Sequence, residues 1–487
     1  MYQDYKSHKV IRKNNVHTLF ALGLIALSMT ACVNVGPDYA PPETDYSDQW
    51  AVTESERMTS APVQQEWWTV FNDSLLESYI QSAIENNKNV NIALANLRRA
   101  RELRSEAHGS LLPDAGVSSE ASRSKSSGSL GNAGSSAGNE SNFFDAGFDA
   151  SWEVDVFGGN RRSIQAADAR IGSAIADYRA AMLSTLSEVA RNYFEARGFQ
   201  KQLEVTEQSS ELLKKTYEVI AARLEVGEAS EFDLSRAMGE YQLTKARIPN
   251  IVANLNSSIF RLSVLLGQSP ETLLSDMSQV KPLPAAIDIV PVGLRSEILR
   301  RRPDIQKAER ELEAEIADIG IETSELFPKF FITGEAGAQS RLLGDLLKSS
   351  SGIWSIGTLI DWSLFSGGSI RARIKVQEAE GDAALLAYEQ TVLEALADAE
   401  ITLVSYIQEL ATQTSLESGV QSRRQSAKIA HQLFDEGEAD YLAVLDAERE
   451  LTSSEDDLVI SETQVVLKLV ALYTALGGGW EQFDQTQ

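Results

Sequence analysis

Apolar residues recur every three or four positions along two long stretches of the chain, residues 161–226 and 371–436, which contain no proline. The recurring positions are Ile175, Tyr178, Met182, Leu186, Val189 and Tyr193 in the first stretch, and Leu385, Tyr388, Val392, Leu396, Ala399 and Leu403 in the second. This heptad-like spacing predicts a long helix in each stretch, packed on other helices along one seam. At a rise of about 1.5 Å per residue, each helix would be ~100 Å long. Such a length is typical of a tube or of a coiled-coil stalk.

The two stretches belong to a sequence repeat with an offset of 210 residues. Matched pairs include Trp152/Trp362, Gly158/Gly368, Arg161/Arg371, Leu266/Leu476 and Gly267/Gly477. The best-matched segment is Gly227-Glu228-Ala229, which returns as Gly437-Glu438-Ala439. We therefore predict two helical hairpins, with these two triplets as the hairpin tips.

The repeat extends upstream of the hairpins with a different offset. Two short helices are predicted at residues 67–84 and 90–108, and Leu111-Leu112-Pro113 ends the second. This triplet matches Leu326-Phe327-Pro328, which lies 215 residues later. The change of offset must be absorbed between Pro113 and Trp152. Ser122 to Ser141 in that interval is almost purely Ser, Gly, Asn and Ala, which predicts a loop.

On either side of this loop apolar residues recur at every second position, and no longer at every third or fourth. Phe144 to Val156 alternates apolar and acidic residues, and residues 115–121 alternate more weakly. The second copy shows the same change at Phe330 to Gln339 and Ile353 to Phe365, separated by a loop near residues 340–351. Alternation over ten residues or so is typical of a strand in a membrane barrel. A small soluble sheet packed on helices is the alternative.

Four strands cannot close a membrane barrel, because the smallest such barrels have about eight. An open edge cannot lie in lipid, since its backbone amides would be unpaired. The chain is therefore expected to oligomerise. Two copies would give a barrel filled by side chains, whereas three would give twelve strands and leave a lumen. The acidic residues expected to line it are Asp145, Asp149, Glu153, Asp155, Glu335 and Asp361.

The first residues are typical of an exported lipoprotein. Four basic residues precede a short apolar run from Leu19 to Leu27, and small residues then lead to Cys32, the only cysteine. This pattern predicts a signal peptide over residues 1–31 and a covalent lipid on Cys32, although Met29 stands where a lipobox usually has Leu. A cleaved signal with an incidental cysteine is the alternative. No disulfide framework is possible with one cysteine.

The charge and the prolines define the rest of the organisation. The chain has 44 Lys+Arg and 70 Asp+Glu, and the predicted signal contains four of the basic residues and one of the acidic residues. The mature chain would therefore have 40 Lys+Arg, 69 Asp+Glu and a formal charge of −29. This acidity argues against nucleic-acid binding. The sequence contains no run of 18 apolar residues, so we predict no membrane-spanning helix. After the signal we predict an extended lead 32–65, a first repeat 66–267, a Pro-rich linker 268–303, a second repeat 304–477 and a tail 478–487. The first repeat contains a β-hairpin at about 114–157 and a helical hairpin at 161–267. The second repeat contains a β-hairpin at about 329–365 and a helical hairpin at 371–477.

No motif for catalysis or metal binding is present, so we predict neither an enzyme nor a metal site. A phosphate-binding loop would have Lys-Ser/Thr after its glycines, and neither Gly158-Gly159 nor Gly367-Gly368 is followed by these residues. Both glycine pairs are explained as turns between a predicted strand and a predicted helix. His108 and His431 remain after signal removal. Both lie in predicted helices and are expected to be solvated or capping side chains.

Three short motifs, in order and combined with the duplication, resemble a known family. They are Val35-Gly36-Pro37-Asp38-Tyr39 after Cys32, Arg301-Arg302-Pro303-Asp304-Ile305, and Tyr441-Leu442-Ala443-Val444-Leu445-Asp446-Ala447. Over essentially the whole mature chain the sequence resembles the TolC-like outer-membrane factors, in their lipoprotein (NodT/OprM-like) branch. The resemblance implies a mainly α-helical fold in which three chains share a 12-stranded outer-membrane β-barrel and a periplasmic α-barrel.

The resemblance also implies a function and partners. The homotrimer would be the passive exit duct of a tripartite efflux system, with a periplasmic adaptor protein at the hairpin tips and an inner-membrane pump of the resistance-nodulation-division type. Apart from the lipid on Cys32 it would carry no cofactor. Leu442 and Asp446, four residues apart on one helix face, would form the periplasmic gate. Arg236, 210 residues before Asp446, is the candidate partner for an alternating ring of charges.

Two other functions stay open at this stage. The exit duct of a type I protein-secretion system shares the fold. A lipid-anchored coiled-coil scaffold would have the helices but no pore, and the alternating strands argue against it.

Overall fold

The computed structural model describes residues 34–42, 49–51, 57–125, 127, 140–287 and 289–484. In this part of the chain the α-helices are α1 Ser74–Asn86, α2 Lys88–Gly109, α3 Gly159–Glu225, α4 Glu231–Leu265, α5 Ile298–Arg301, α6 Pro303–Ser324, α7 Ser369–Asp435 and α8 Tyr441–Ala475. The strands are β1 Met58–Thr59, β2 Asp114–Lys125, β3 Glu140–Val154, β4 Val290–Pro291, β5 Lys329–Ser340 and β6 Gly352–Asp361. The predicted signal and Cys32 lie outside the described residues.

The long helices coincide with the two apolar seams. Helices α3 and α7 have 67 residues each, and the returning helices α4 and α8 have 35 each. Met182 and Leu186 on α3 are fully buried, as are Val392 and Ala399 on α7. The period of three and four thus identified the face that packs, because only that face of a helix this long meets other helices.

The chain forms two compact units. The first consists of the described residues within Met1–Pro41, Arg99–Ile171 and Arg310–Leu386, and it contains the four-stranded sheet. The second consists of those within Pro42–Arg98, Gly172–Glu309 and Ala387–Gln487, and it contains the main hydrophobic core.

The core of the second unit is built around Trp67. Its ring stacks on Tyr473 with centroids 5.7 Å apart, and its indole nitrogen donates to the carbonyl of Gly478 at 3.2 Å. Trp68 and Phe71 meet the same ring edge-on. Trp67, Trp68 and Phe71 lie in a 3-10 helix, Trp67–Phe71. This 3-10 helix is separate from α1, so the single short helix predicted over residues 67–84 is two elements. Burying four large rings together makes this a main source of the unit's stability.

The sheet of the first unit is antiparallel, in the order β2-β3-β5-β6. The predicted loop Ser122 to Ser141 is too long at both ends, because β2 continues to Lys125 and β3 begins at Glu140. Backbone pairing holds these polar ends, and an ion pair between Arg123 and Glu140 reinforces it across the strands.

The last strand is shorter than predicted. Strand β6 ends at Asp361, which lies opposite Lys329, the first residue of β5. Beyond that point β5 offers no further residue to pair with, so the predicted extension to Phe365 is wrong. Trp362 instead donates from its indole to the carbonyl of Leu326 at 3.1 Å. In the other hairpin, the matched Trp152 donates in the same way to Leu111 at 2.9 Å.

The two faces of the sheet differ in chemistry, as the alternation predicts. The register places Asp145, Asp149, Glu153, Glu335 and Asp361 on one face. It places Phe148, Ile332, Trp354, Ile356 and Ile360 on the other. The side chains of Trp354 and Ile356 are 79% and 76% exposed, so a continuous apolar surface is left uncovered in the single chain. Uncovered apolar surface of this kind fits lipid or another protein surface.

Asp155, predicted on the acidic face, has another role. It follows the last residue of β3, and its carboxylate accepts hydrogen bonds from the backbone amides of Asn160 and Arg161. It also pairs with the Arg161 guanidinium at 3.0 Å. A carboxylate at the first amides of a helix satisfies donors that have no partner within the helix. Asp155 therefore caps α3, and the prediction that it lines the lumen is wrong.

The lead segment after Cys32 is held against the first unit by Arg162, whose side chain is almost fully buried. Its guanidinium donates to the carbonyl of Val35 at 3.0 Å and to that of Gly36 at 3.2 Å, and it pairs with Asp38 at 2.8 Å. Gly36 has a φ of +84°, and an added Cβ would come within 2.5 Å of the Cα of Gly320. Only glycine fits there, so the motif after the predicted lipid site is a docking segment.

One described helix is long and apolar enough to cross a membrane by composition alone. It is α8, and half of its most apolar part is buried within the protein. Its buried residues include Leu469, Leu472 and Tyr473 of the main core. Polar and charged residues interrupt the apolar stretches of α8, so no uninterrupted apolar run marks this helix in the sequence. Its burial is that of a core helix.

Candidate gate at the tips of the helical hairpins

The first predicted tip is a helix C-cap. Gly227 has a φ of +78°, a conformation that glycine adopts without strain. Its amide donates to the carbonyl of Leu224 at 3.0 Å, and the amide of Glu228 donates to that of Arg223 at 2.8 Å. This pair of bonds is a Schellman motif, which satisfies the last carbonyls of α3 and reverses the chain.

The second tip repeats this geometry. Gly437 has a φ of +76°, its amide donates to the carbonyl of Phe434 at 3.1 Å, and the amide of Glu438 donates to that of Leu433 at 2.8 Å. The best-matched triplets of the repeat are therefore C-caps at both hairpin tips.

Both returning helices begin three residues after the tip glycine with a polar cap. Ser230 forms a capping box with Asp233: the Ser230 side chain accepts from the Asp233 amide, and the Asp233 carboxylate accepts from the Ser230 amide. Asp440 starts α8, and its carboxylate accepts from the amide of Ala443 at 3.1 Å. These caps fix where each helix begins, and they set the rotational position of the residues that follow.

The predicted gate residues Arg236 and Asp446 meet within one chain. The guanidinium lies 3.8 Å from the carboxylate and also lies over the ring of Phe232. The Asp446 side chain is 63% exposed, so the carboxylate remains accessible to solvent in the single chain. Leu442, one turn before Asp446, is half-buried. The structure thus brings the charged pair together at the start of α4 and α8, with Leu442 beside it.

A small apolar cluster supports this end of the helices. Its buried members are Leu213, Ile220, Ala237, Tyr441, Val444 and Leu445, which come from α3, α4 and α8. Tyr441 and Leu445 flank the gate residues on the same helix, and they anchor it to the first hairpin. Burial is the main reason why the pKa of Tyr441 is raised, and the nearby Glu448 carboxylate adds to the shift.

Sequence reasoning missed a buried carboxylate two residues after Asp446. The side chain of Glu448 is 1% exposed. Its Oε1 accepts hydrogen bonds from Nε2 of His431 at 2.8 Å and from the hydroxyl of Thr216 at 3.1 Å. Burial raises the pKa of Glu448, and the contacts with His431 and Thr216 oppose that rise. The prediction that His431 is merely solvated or capping is therefore wrong.

A second buried carboxylate lies two turns further along α8. Asp456 pairs with Arg247 of α4 and accepts from the Gln202 amide of α3 at 3.2 Å. Glu448 and Asp456 have Met238 and Ala246 at the matched positions of the first copy. The sequence carried this signal: two carboxylates on one face of an apolar helix, absent from the matched copy, are candidates for buried partners.

Comparisons with known proteins agree with this architecture. The family model described as "Outer membrane efflux protein" matches residues 79–268 and 294–478. Nodulation protein T of Rhizobium leguminosarum bv. viciae is 28% identical over 94% of this chain and 93% of its own. The solvent efflux pump outer membrane protein SrpC of Pseudomonas putida is 29% identical over 94% of this chain and 98% of its own.

Among solved structures, the outer-membrane channel OprN superposes with a TM-score of 0.87 at 33% identity, over 92% of this chain and 99% of that one. The likeness therefore extends from the helices through the strands, over nearly the full length of both proteins. It confirms the resemblance drawn from the three short motifs. The chain belongs to the outer membrane efflux protein family.

Proposed function

We propose that this protein is the outer-membrane exit duct of a tripartite efflux system, conducting substrates passively from the periplasm to the outside. The observation that carries the proposal is the sheet with one apolar exposed face and one acidic face, in a chain of this family. Such a sheet fits lipid on one side and an aqueous lumen on the other. One relative is named as an efflux pump outer membrane protein, and the similar solved structure is named as an outer-membrane channel.

The channel requires three copies of the chain. In the described sheet β2 and β6 are the outer strands, so each has one edge without a partner strand. Backbone amides at such an edge cannot stay unpaired in lipid, and edge-to-edge pairing of three copies would give twelve strands. The two long hairpins of each copy, as duplicated units over residues 66–267 and 304–477, would then surround a common axis in the periplasm.

The hairpin tips would contact the periplasmic adaptor. Eight carboxylates lie at the two tips: Glu225, Glu228, Glu231, Asp233, Asp435, Glu436, Glu438 and Asp440. No Lys or Arg lies among them, and Val226 and Phe232 are exposed beside them. An acidic rim around apolar side chains fits a partner surface that is basic with an apolar centre. The tip residues Ala229 and Ala439 are half-buried, and Ala229 packs against the apolar cluster beside the tips.

The same arrangement supports the gate at Leu442, Asp446 and Arg236. Three Leu442 side chains on the axis would form an apolar constriction, and three Asp446 carboxylates an anionic ring. The ring repels itself unless cations lie beside it, and Arg236 supplies one such cation in every copy. Opening by the adaptor would then separate α8 from the first hairpin.

The function is tested by deleting the gene and measuring drug, metal and secreted-protein phenotypes. An efflux duct predicts sensitivity to small toxic compounds, restored by the wild-type gene, with normal export of proteins. Loss of one secreted protein without drug sensitivity would instead assign the chain to type I secretion. The relative named for solvent efflux indicates that organic solvents belong among the compounds tested.

The lipid is predicted on Cys32, two residues before the described chain begins at Asn34. Because Arg162 holds Val35 and Gly36 against the first unit, a lipid there would insert beside the sheet. Each buried CH₂ of its acyl chains contributes ~0.8 kcal/mol to membrane binding. Cys32→Ala should abolish palmitate labelling, while the sheet still inserts and part of the function survives. Labelling that persists in this variant would refute the assignment.

The loops that join β2 to β3 and β5 to β6 are expected to face the outside of the cell. They lie at the strand ends opposite those that lead to the long helices. An epitope inserted at Gly131, outside the described residues, should bind antibody on intact cells. The control is the same epitope after Glu228 at a hairpin tip, which should bind only when the outer membrane is broken. The reverse pattern would show that the topology is inverted.

A further inference from the structure

We propose that the Glu448 carboxylate, with His431 and Thr216, is a proton-dependent latch that holds α8 against the neighbouring helices and makes opening of the duct sensitive to pH. The inference rests on the proposed function and assigns the gate a regulation. The buried Glu448 carboxylate accepts one hydrogen bond from Thr216 of α3 and another from His431 of α7. Glu448 therefore joins both hairpins through a single side chain, two residues from Asp446.

The buried environment makes the charge of this cluster important. Oε2 of Glu448 is enclosed and has no hydrogen-bond partner among the described residues, and neither has the buried hydroxyl of Tyr441. While Glu448 and His431 share one proton, the pair carries no net charge. When that proton leaves, a carboxylate with an uncompensated charge remains inside the protein, which is strongly unfavourable.

The surrounding charged groups do not replace that proton. Glu448 itself is faced by His431 of α7 and Thr216 of α3, and the charged groups of α4 around the neighbouring Tyr441 are Asp233, Arg236 and Glu240. Arg236 is the only fixed positive charge of this set, and its contacts are with Asp446 and Phe232. The other two α4 groups, Asp233 and Glu240, are acidic and supply no compensating positive charge.

The direction of the pH effect follows from the position of the proton. Burial raises the pKa of Glu448, so the stability it gives the packed helices is present at acid pH and is lost as the pH rises through the raised value. Moving α8 away would expose the carboxylate to water and relieve its burial. Mild acid should therefore keep the helices together, and higher pH should favour opening.

The test is the single-channel open probability of the purified protein in planar bilayers at pH 6 and pH 8. One linked proton changes an equilibrium by up to tenfold per pH unit, so we expect the wild type to open up to about 100-fold more often at pH 8 than at pH 6. Glu448→Gln keeps the shape and cannot ionise, so its open probability should be low at both pH values. His108→Gln removes the other histidine of the mature chain, which is exposed, and should behave as the wild type.

A second measurement keeps the proposal testable if the channel closes too rarely to be counted. The thermal melting temperature of the wild type should fall relative to that of Glu448→Gln between pH 6 and pH 8, because only the wild type loses the proton. Equal pH dependence of both proteins, in conductance and in melting, would overturn the latch while leaving the duct intact. Absence of any conductance would instead contradict the proposed function, and the melting comparison would still decide the latch.

Discussion

Replacing Leu442 and Asp446 together with alanine should leave a trimer that leaks. The double variant removes both the apolar constriction and the anionic ring, and with them the Arg236 contact at 3.8 Å. We expect single-channel conductance to rise by about threefold or more, since apolar constrictions gate by excluding water. Cells that carry the variant should also become sensitive to vancomycin, which an intact outer membrane keeps out.

A matched double variant separates the gate from general loosening of the helices. Leu243→Ala with Asp457→Ala removes the same two side-chain types at exposed positions of α4 and α8 further from the tips. It should keep wild-type conductance. If the Leu442/Asp446 variant also keeps wild-type conductance and vancomycin resistance, these residues are not the gate, although the duct itself would stand.

The ion pair can be tested apart from the leucine. Asp446→Arg places two cations together and should open the gate, whereas adding Arg236→Asp restores opposite charges at the same two positions. Recovery in the swapped pair would show that the contact matters and not the individual side chains.

Replacing Trp67 with alanine should cost the second unit much of its stability. The ring is fully buried and contacts Tyr473, Trp68 and Phe71, and its nitrogen bonds to Gly478. Truncation of a buried Trp destabilises by about 3–5 kcal/mol. The midpoint of denaturant unfolding in detergent should fall accordingly, and less protein should reach the membrane.

The matched control is Trp354→Ala, which removes the same side chain from the exposed face of the sheet. Its loss leaves no cavity in the core, so the unfolding midpoint should change much less. Equal shifts in the two variants would show that the aromatic cluster around Trp67 does not dominate the stability of its unit.

The elements set by one repeating pattern could be predicted from sequence. The helix seam identified Met182, Leu186 and Val392 as buried because a period of three to four directs one face inward. Alternation along the strands placed acidic Asp149 and apolar Trp354 on opposite faces of the sheet, because successive side chains of a strand point to opposite faces. In both cases neighbouring residues carry the information.

The parts that depend on distant residues could not be predicted. Thr216 lies 232 residues before Glu448 in sequence, and His431 reaches Glu448 only because α7 and α8 pack side by side; no local pattern links the three. The strand ends near Lys125 and Glu140 are paired by backbone bonds, so their polar composition indicated a loop instead. Where a side chain finds its partner through the tertiary fold, local propensity gives little guidance.

The central claim is that copies of this chain enclose a conducting pore. The most direct test is to add the purified mature protein to planar lipid bilayers and record the current at fixed voltage. An exit duct predicts discrete, uniform conductance steps, which the same protein unfolded by heat before addition should not produce. Protein that inserts in folded form and yet produces no steps would contradict the duct and leave the lipid-anchored scaffold as the better description.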